Sequence, residues 1–91
     1  MAEGTISHNV RTSVSGTTPT AINTYEKLGN YPTGYNRSNT VVISGQFVAG
    51  GYSYWFPNLE LLIATKDDGI YLYATASSVL NRDITIYIMQ I

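Results

Sequence analysis

The sequence predicts an all-β domain, an antiparallel β-sandwich of jelly-roll-like kind, on three observations. First, β-branched and aromatic runs such as Thr40-Val41-Val42-Ile43-Ser44 and Tyr52-Ser53-Tyr54-Trp55-Phe56 are divided by Gly, Pro and Asn signals. Second, apolar and polar residues alternate with period two on both sides of Asp67-Asp68-Gly69. Third, helical periodicity is thin throughout. At 91 residues the chain has the length of one domain, taken as 1–91, and buries roughly 60–70% of its unfolded surface, enough for one core with little surplus.

In chain order, the opening Met1-Ala2-Glu3-Gly4-Thr5 lacks the basic cluster and apolar run of a secretion signal, so no signal peptide is expected. Ser and Thr crowd residues 12–24, but Val10, Val14 and Ile22 punctuate the stretch at even spacings and predict short polar strands. Ala21 to Leu28 has the length of two helical turns, with Thr20 as N-cap and Gly29 as stop. Its β-rich surroundings, with Thr24 and Tyr25 in the middle, favour a strand. Asn30 to Asn39 is the longest stretch without strand character. A strand runs from Thr40 through Gln46-Phe47-Val48 to a bend at Gly50-Gly51, and an aromatic strand over Tyr52–Phe56 is closed by Pro57-Asn58.

The following hairpin fixes a register. With Asp68-Gly69 as a two-residue loop, Asp67 faces Ile70, Thr65 faces Leu72, Ile63 faces Ala74 and Leu61 faces Ala76. Leu59, Leu61, Ile63, Ile70, Leu72, Ala74 and Ala76 then share one almost wholly apolar face. Glu60, Leu62, Ala64, Lys66, Tyr71, Tyr73, Thr75 and Ser77 share the other, and slipping by one residue would mix the two sets. In the last strand Ile84, Ile86 and Ile88 lie on one side and Thr85, Tyr87, Met89 and Ile91 on the other. Both sides are apolar near the end, which predicts burial by the domain core and by a neighbouring subunit.

Composition removes several functions. Charged residues make up 12% of the chain, about half the usual fraction of roughly 25%, and five basic residues stand against six acidic ones for a net charge of −1. That balance gives no electrostatic footprint for nucleic acid or an anionic lipid surface. No apolar run reaches the roughly 18 residues of a membrane span, so membrane insertion is not expected. Without cysteine there is neither a disulfide scaffold nor a thiolate metal site. A surface so poor in charge favours association, and an oligomer is expected.

Catalytic constellations are missing as well. His8 is the only histidine and has no Asp, Glu or Cys near it, and no serine sits in a Gly-x-Ser-x-Gly turn. Asp67 and Asp68 read as turn residues rather than as a catalytic pair or calcium site. Glu60 and Asp83, placed on strands, would meet only by chance of topology. Gly50-Gly51 lacks the pattern of a phosphate loop. No enzyme activity, cofactor or metal is expected.

The aromatic residues are the informative feature: eight tyrosines and one tryptophan exceed what so small a core needs. Tyr31, Tyr35, Tyr52, Tyr54 and Trp55 lie beside Gly, Pro and Asn, the composition of adaptable binding surfaces, and Asn36 and Arg37 stand in the same loop as Tyr31 and Tyr35. A ring beside an Asn or Arg suits the flat C–H faces and hydroxyl edges of sugars. These seven residues are the candidate ligand contacts. Tyr71, Tyr73, Tyr87, Met89 and Ile91 are the candidate subunit interface. The alternative reading makes Trp55 and Phe56 core plugs, the tyrosines interface residues, and the Asn-Tyr-Arg loop a turn capped by its own amides.

Pro32-x-Gly34-Tyr35, Asn39-x-Val41-Val42-Ile43-Ser44, the aromatic strand, Ile70-Tyr71-Leu72 and the closing Asp83-Ile84-Thr85-Ile86-Tyr87-Ile88-Met89-Gln90-Ile91 together carry a likeness. Over roughly residues 25 to 91 the chain resembles the C-terminal receptor-binding domain of tail-fibre or baseplate proteins from phages of Gram-positive or gut bacteria. The resemblance implies a β-sandwich, usually homotrimeric, at the extracellular tip of a virion tail, attached to a host cell-surface polysaccharide. It fixes no catalytic residues, and its ligand contacts vary too much to transfer. Residues 1–24 would be an opening strand or a neck. Two alternatives stand beside it: a structural trimerisation or decoration domain with no ligand of its own, and a carbohydrate-binding module of an enzyme.

Overall fold

The computed structural model describes residues 11–55 and 59–91, and the described residues form seven strands. They are β1 (Arg11–Thr17), β2 (Tyr25–Gly29), β3 (Thr40–Ala49), β4 (Tyr52–Trp55), β5 (Leu61–Lys66), β6 (Gly69–Ala74) and β7 (Asp83–Gln90), with a single 3₁₀ turn at Ser77–Val79. One sheet has the order β1-β7-β3-β4 and the other β2-β6-β5, and every strand pair is antiparallel. The chain is therefore the expected all-β sandwich. Val10, His8, Phe56 and Pro57-Asn58 lie outside the described residues.

The alternation read from the sequence builds the core. Ile84, Ile86 and Ile88 of β7 point inward, as do Val14 of β1 and Phe47 of β3. Facing them across the sandwich are Leu61 of β5 and Ile70, Leu72 and Ala74 of β6, with Val79 closing one end. A fully buried Leu or Ile stabilises the fold by about 1.5–3 kcal/mol, so this cluster dominates the stability of the domain. The strand preferred over a helix forms as β2, whose Tyr25 pairs with Tyr73 and Glu26 with Leu72.

The β5–β6 hairpin departs from the expected register. Its loop is Asp67-Asp68, and the pairs are Lys66 with Gly69, Thr65 with Ile70, Ile63 with Leu72 and Leu61 with Ala74. The shift is two positions, so each strand residue keeps its expected face. Gly69 belongs to β6 because of a close approach: a Cβ there would run into the carbonyl oxygen of Gly29 and sit 2.8 Å from Lys27 Cε. Neither aspartate takes a positive φ, so the loop is not the primed turn that a glycine in it would have served.

Other expectations are corrected at strand ends. Leu59, assigned to the apolar face, stands ahead of β5 and is 95% exposed. Glu60 lies in the turn beside it rather than on a strand, whereas Asp83 does begin β7. Ala76 falls beyond β6. Residues 18–24 form one connection after β1, in which Ile22 makes a single bridge to Ala74. β3 carries a bulge between Val42 and Ser44, which leaves Ile43 without a partner in β7.

Candidate functional site

β4 is an edge strand of the four-stranded sheet, and all four of its residues are exposed. Tyr54 pairs with Phe47 and Tyr52 with Ala49, so both rings share the side of the sheet that holds the core. Both rings are nonetheless exposed, Tyr52 at 70% and Tyr54 at 42%. The result is a cleft of about 520 Å³ lined by Phe47, Ala49, Gly50, Tyr52, Tyr54, Glu60, Ser78, Val79 and Arg82.

Its floor is hydrophobic and its wall polar. The Tyr54 ring stacks on buried Phe47 at a centroid distance of 5.2 Å and an interplanar angle of 11°, which holds it flat against the cleft. Ser78 donates its hydroxyl to Glu60 Oε2 at 3.0 Å, and the Glu60 carbonyl accepts the Thr75 N–H at 2.9 Å. Arg82 Nε donates to the Ser78 carbonyl at 3.4 Å. A flat ring flanked by a carboxylate, a hydroxyl and a guanidinium can stack against an apolar face of a small polar ligand while exchanging hydrogen bonds with its edge.

Trp55 goes the other way. As the next residue on a strand it points to the outer face of the four-stranded sheet, opposite Gln46, and stacks near Tyr87 at 6.3 Å and 20°. On that face Val41, Ile43, Val48 and Trp55 are exposed and Tyr87 and Met89 half-buried. A polar row crosses it, with Ser15 Oγ and Thr85 Oγ1 3.1 Å apart and Gln46 Nε2 donating to Ser53 Oγ at 3.0 Å.

The loop candidates are at the far end. Arg82 precedes the start of β7, while Gln90 at its end donates to the Gly34 carbonyl at 2.6 Å, so the two sites stand roughly 25 Å apart along the strand. Tyr31 and Tyr35 pack against the core. Tyr31 Oη donates to the Lys66 carbonyl at 2.6 Å, and burial pushes its pKa up. Asn36 Oδ1 accepts the N–H groups of Ser38 and Asn39 at 2.8 and 3.1 Å, and its own N–H goes to Asn39 Oδ1 at 2.8 Å. Arg37 pairs with Asp67 at 3.3 Å on the surface. The loop thus spends its polar groups on itself and on the hairpin. Of the seven ligand candidates, Tyr52 and Tyr54 line this cleft together.

The interface candidates divide between two faces. Tyr87 and Met89 belong to the outer face shared with Trp55, and Ile91, 63% exposed, follows the end of β7. Tyr71 and Tyr73 lie on the outer face of the three-stranded sheet. There Tyr73 contacts Tyr25 at 4.7 Å, and Lys66 Nζ sits 4.5 Å over the Tyr71 ring. Tyr71 Oη donates to Asp68 Oδ2 at 2.9 Å, which raises the phenol pKa and is the largest cause of the lowered Asp68 pKa.

Sequence reasoning passed over Ser78 and Arg82 and considered Glu60 only as a catalytic partner. They come from two connections, Glu60 ahead of β5 and Ser78 and Arg82 between β6 and β7, and no motif marks them. Among the described residues no group of three or more His, Asp or Glu side chains could hold a metal ion. No protein-family model, no curated protein and no solved structure matches this chain.

Proposed function

We propose that the chain is a non-catalytic adhesion module, of the receptor-binding type found at phage tail tips, which attaches to a host cell-surface glycan. The observation that carries this reading is the cleft at β4, where the Tyr54 ring lies stacked on Phe47 beside Tyr52, Glu60, Ser78 and Arg82. A pyranose stacks its C–H face on Tyr54, and its hydroxyls donate to the Glu60 carboxylate and accept from Arg82. Such a site is shallow and wet, and each contact is weak. Three copies in a homotrimer, and many fibres per virion, turn weak sites into firm attachment.

A second reading, a structural assembly domain without a ligand, is favoured by one feature of its own. The outer face of the four-stranded sheet exposes Val41, Ile43, Val48 and Trp55 together, a patch that a neighbouring copy would cover. The two readings separate in one experiment: binding of the purified protein to a panel of bacterial cell-wall glycans, repeated with Tyr54→Ala. The adhesion reading expects binding by the parent protein and its loss in the variant at little change of melting temperature. A parent that binds no glycan leaves the assembly reading.

A further inference from the structure

The chain has five basic residues, and four of them are accounted for at the surface. Lys27 and Arg37 pair with Asp68 and Asp67 at 3.7 and 3.3 Å, Lys66 covers the Tyr71 ring, and Arg11 is exposed on an edge strand. Arg82 differs. It is half-buried in the wall of the cleft, and its backbone is clamped on both sides by Thr18, whose Oγ1 accepts the Arg82 N–H at 2.7 Å and whose N–H donates to the Arg82 carbonyl at 2.8 Å. Its Nε is used by the Ser78 carbonyl. Among the described residues the guanidinium makes no ion pair, although Glu60 lines the same cleft.

We infer that the glycan taken by this cleft is acidic, with one carboxylate or phosphate group docked on Arg82. This rests on the carbohydrate reading above. The clamped backbone fixes where the Arg82 side chain leaves the chain, its Nε reaches the Ser78 carbonyl at 3.4 Å, and its Nη groups form a planar fork that matches two oxygens of a carboxylate or phosphate. A half-buried cation without an anionic partner has given up part of its hydration, and an anionic ligand restores the balance. Glu60 orients the ligand: it repels the acidic group and accepts from hydroxyls, so the acid points to Arg82 and the neutral edge to Glu60. A sugar unit with one acidic substituent and free hydroxyls fits both walls. A dense polyanion fits only one.

The test compares three oligosaccharides of one backbone, neutral, uronate-bearing and phosphate-bearing, titrated into the full chain at low and high salt. The expected result is an acidic ligand bound at least tenfold tighter than the neutral one at low salt, with the gap narrowing as salt rises. Arg82→Gln brings the ratio close to one, and Arg82→Lys, which keeps the charge but loses the fork, falls between. The uronate and phosphate arms identify which acid is the ligand. Equal binding of neutral and acidic sugars, or a preference that survives Arg82→Gln, overturns this inference and leaves the carbohydrate reading standing. Failure of all three sugars to bind overturns both.

Discussion

Thr18 and Arg82 hold each other by two reciprocal hydrogen bonds, Arg82 N–H to Thr18 Oγ1 at 2.7 Å and Thr18 N–H to the Arg82 carbonyl at 2.8 Å. The pair continues the β1–β7 ladder past its last strand residues, Thr17 and Asp83. Thr18 is only 2% exposed, so replacing its hydroxyl leaves an amide with no water to turn to. Thr18→Val should cost about 1–3 kcal/mol, read as a lower urea midpoint at unchanged slope. It should also weaken ligand binding, because the residue it releases is the cation of the cleft.

Two aromatic residues given the same role by the sequence should respond differently to truncation. Tyr35 packs against the core, and Tyr35→Ala should cost up to about 3 kcal/mol. Trp55 is 55% exposed and loses only its stacking on Tyr87, worth about 0.5–1.5 kcal/mol. Thermal denaturation of the two variants side by side checks this, and equal losses would contradict the assignment of Trp55 to an outer face.

The contrast also marks how far the sequence was legible. Period-two alternation identified Ile84, Ile86, Ile88, Leu61, Ile70, Leu72 and Ala74 as core, because the inside and outside of a strand are written in its residues. Face assignment survived even the two-position error in the hairpin. What alternation does not encode is which strand lies opposite which, or how far each extends. Tyr52 and Tyr54 share a face with Phe47, yet both are exposed on the edge strand while Phe47 is buried. Ser78 and Arg82 are near in sequence, but Glu60 joins them only because β5 pairs with β6. Tyr31 and Tyr35 have loop-like neighbours in sequence and core neighbours in space, a difference that local composition does not record.

At Gly69 both space and backbone conformation, with φ at +155°, exclude a side chain. The Gly29 backbone occupies the place a Cβ would take, and backbone cannot move aside as a flexible side chain does. Gly69→Ala should therefore cost about 1–3 kcal/mol by forcing β2 and β6 apart. Amide exchange should quicken along β2 before it does in β7, whereas uniform exchange would argue against a local separation.

Glu26 points inward from edge strand β2, and its carboxylate accepts from the Thr20 N–H and hydroxyl at 3.1–3.2 Å and from the Ala21 N–H at 3.2 Å. The Thr20 backbone bond is the largest cause of its lowered pKa. A group whose folded pKa lies below its unfolded value, about 4.3 for glutamate, stabilises above that value and loses the effect as pH falls through the folded one. Glu26→Gln should therefore melt below the parent at pH 7, and the gap should close on acidification below about pH 4.3. Asp68, shifted in the same direction, titrates in both proteins and cancels in the comparison. A gap constant from pH 7 to pH 3 would show that the carboxylate charge contributes nothing.

The outer face of the four-stranded sheet makes the proposed homotrimer testable without a ligand. Ile43 is the bulged residue of β3, exposed like Val41 and Val48 of the same strand, and it is not among the residues packed into the core. Ile43→Lys should leave the isolated fold nearly as stable as before, since exposed substitutions usually stay within about 0.5 kcal/mol. In an interface the same lysine must shed its hydration against an apolar surface, so the assembly should dissociate. Light scattering is expected to give three chains for the parent and one for the variant. A parent that runs as one chain would remove both the trimer and the avidity built on it, and the β4 cleft would then have to hold its glycan alone.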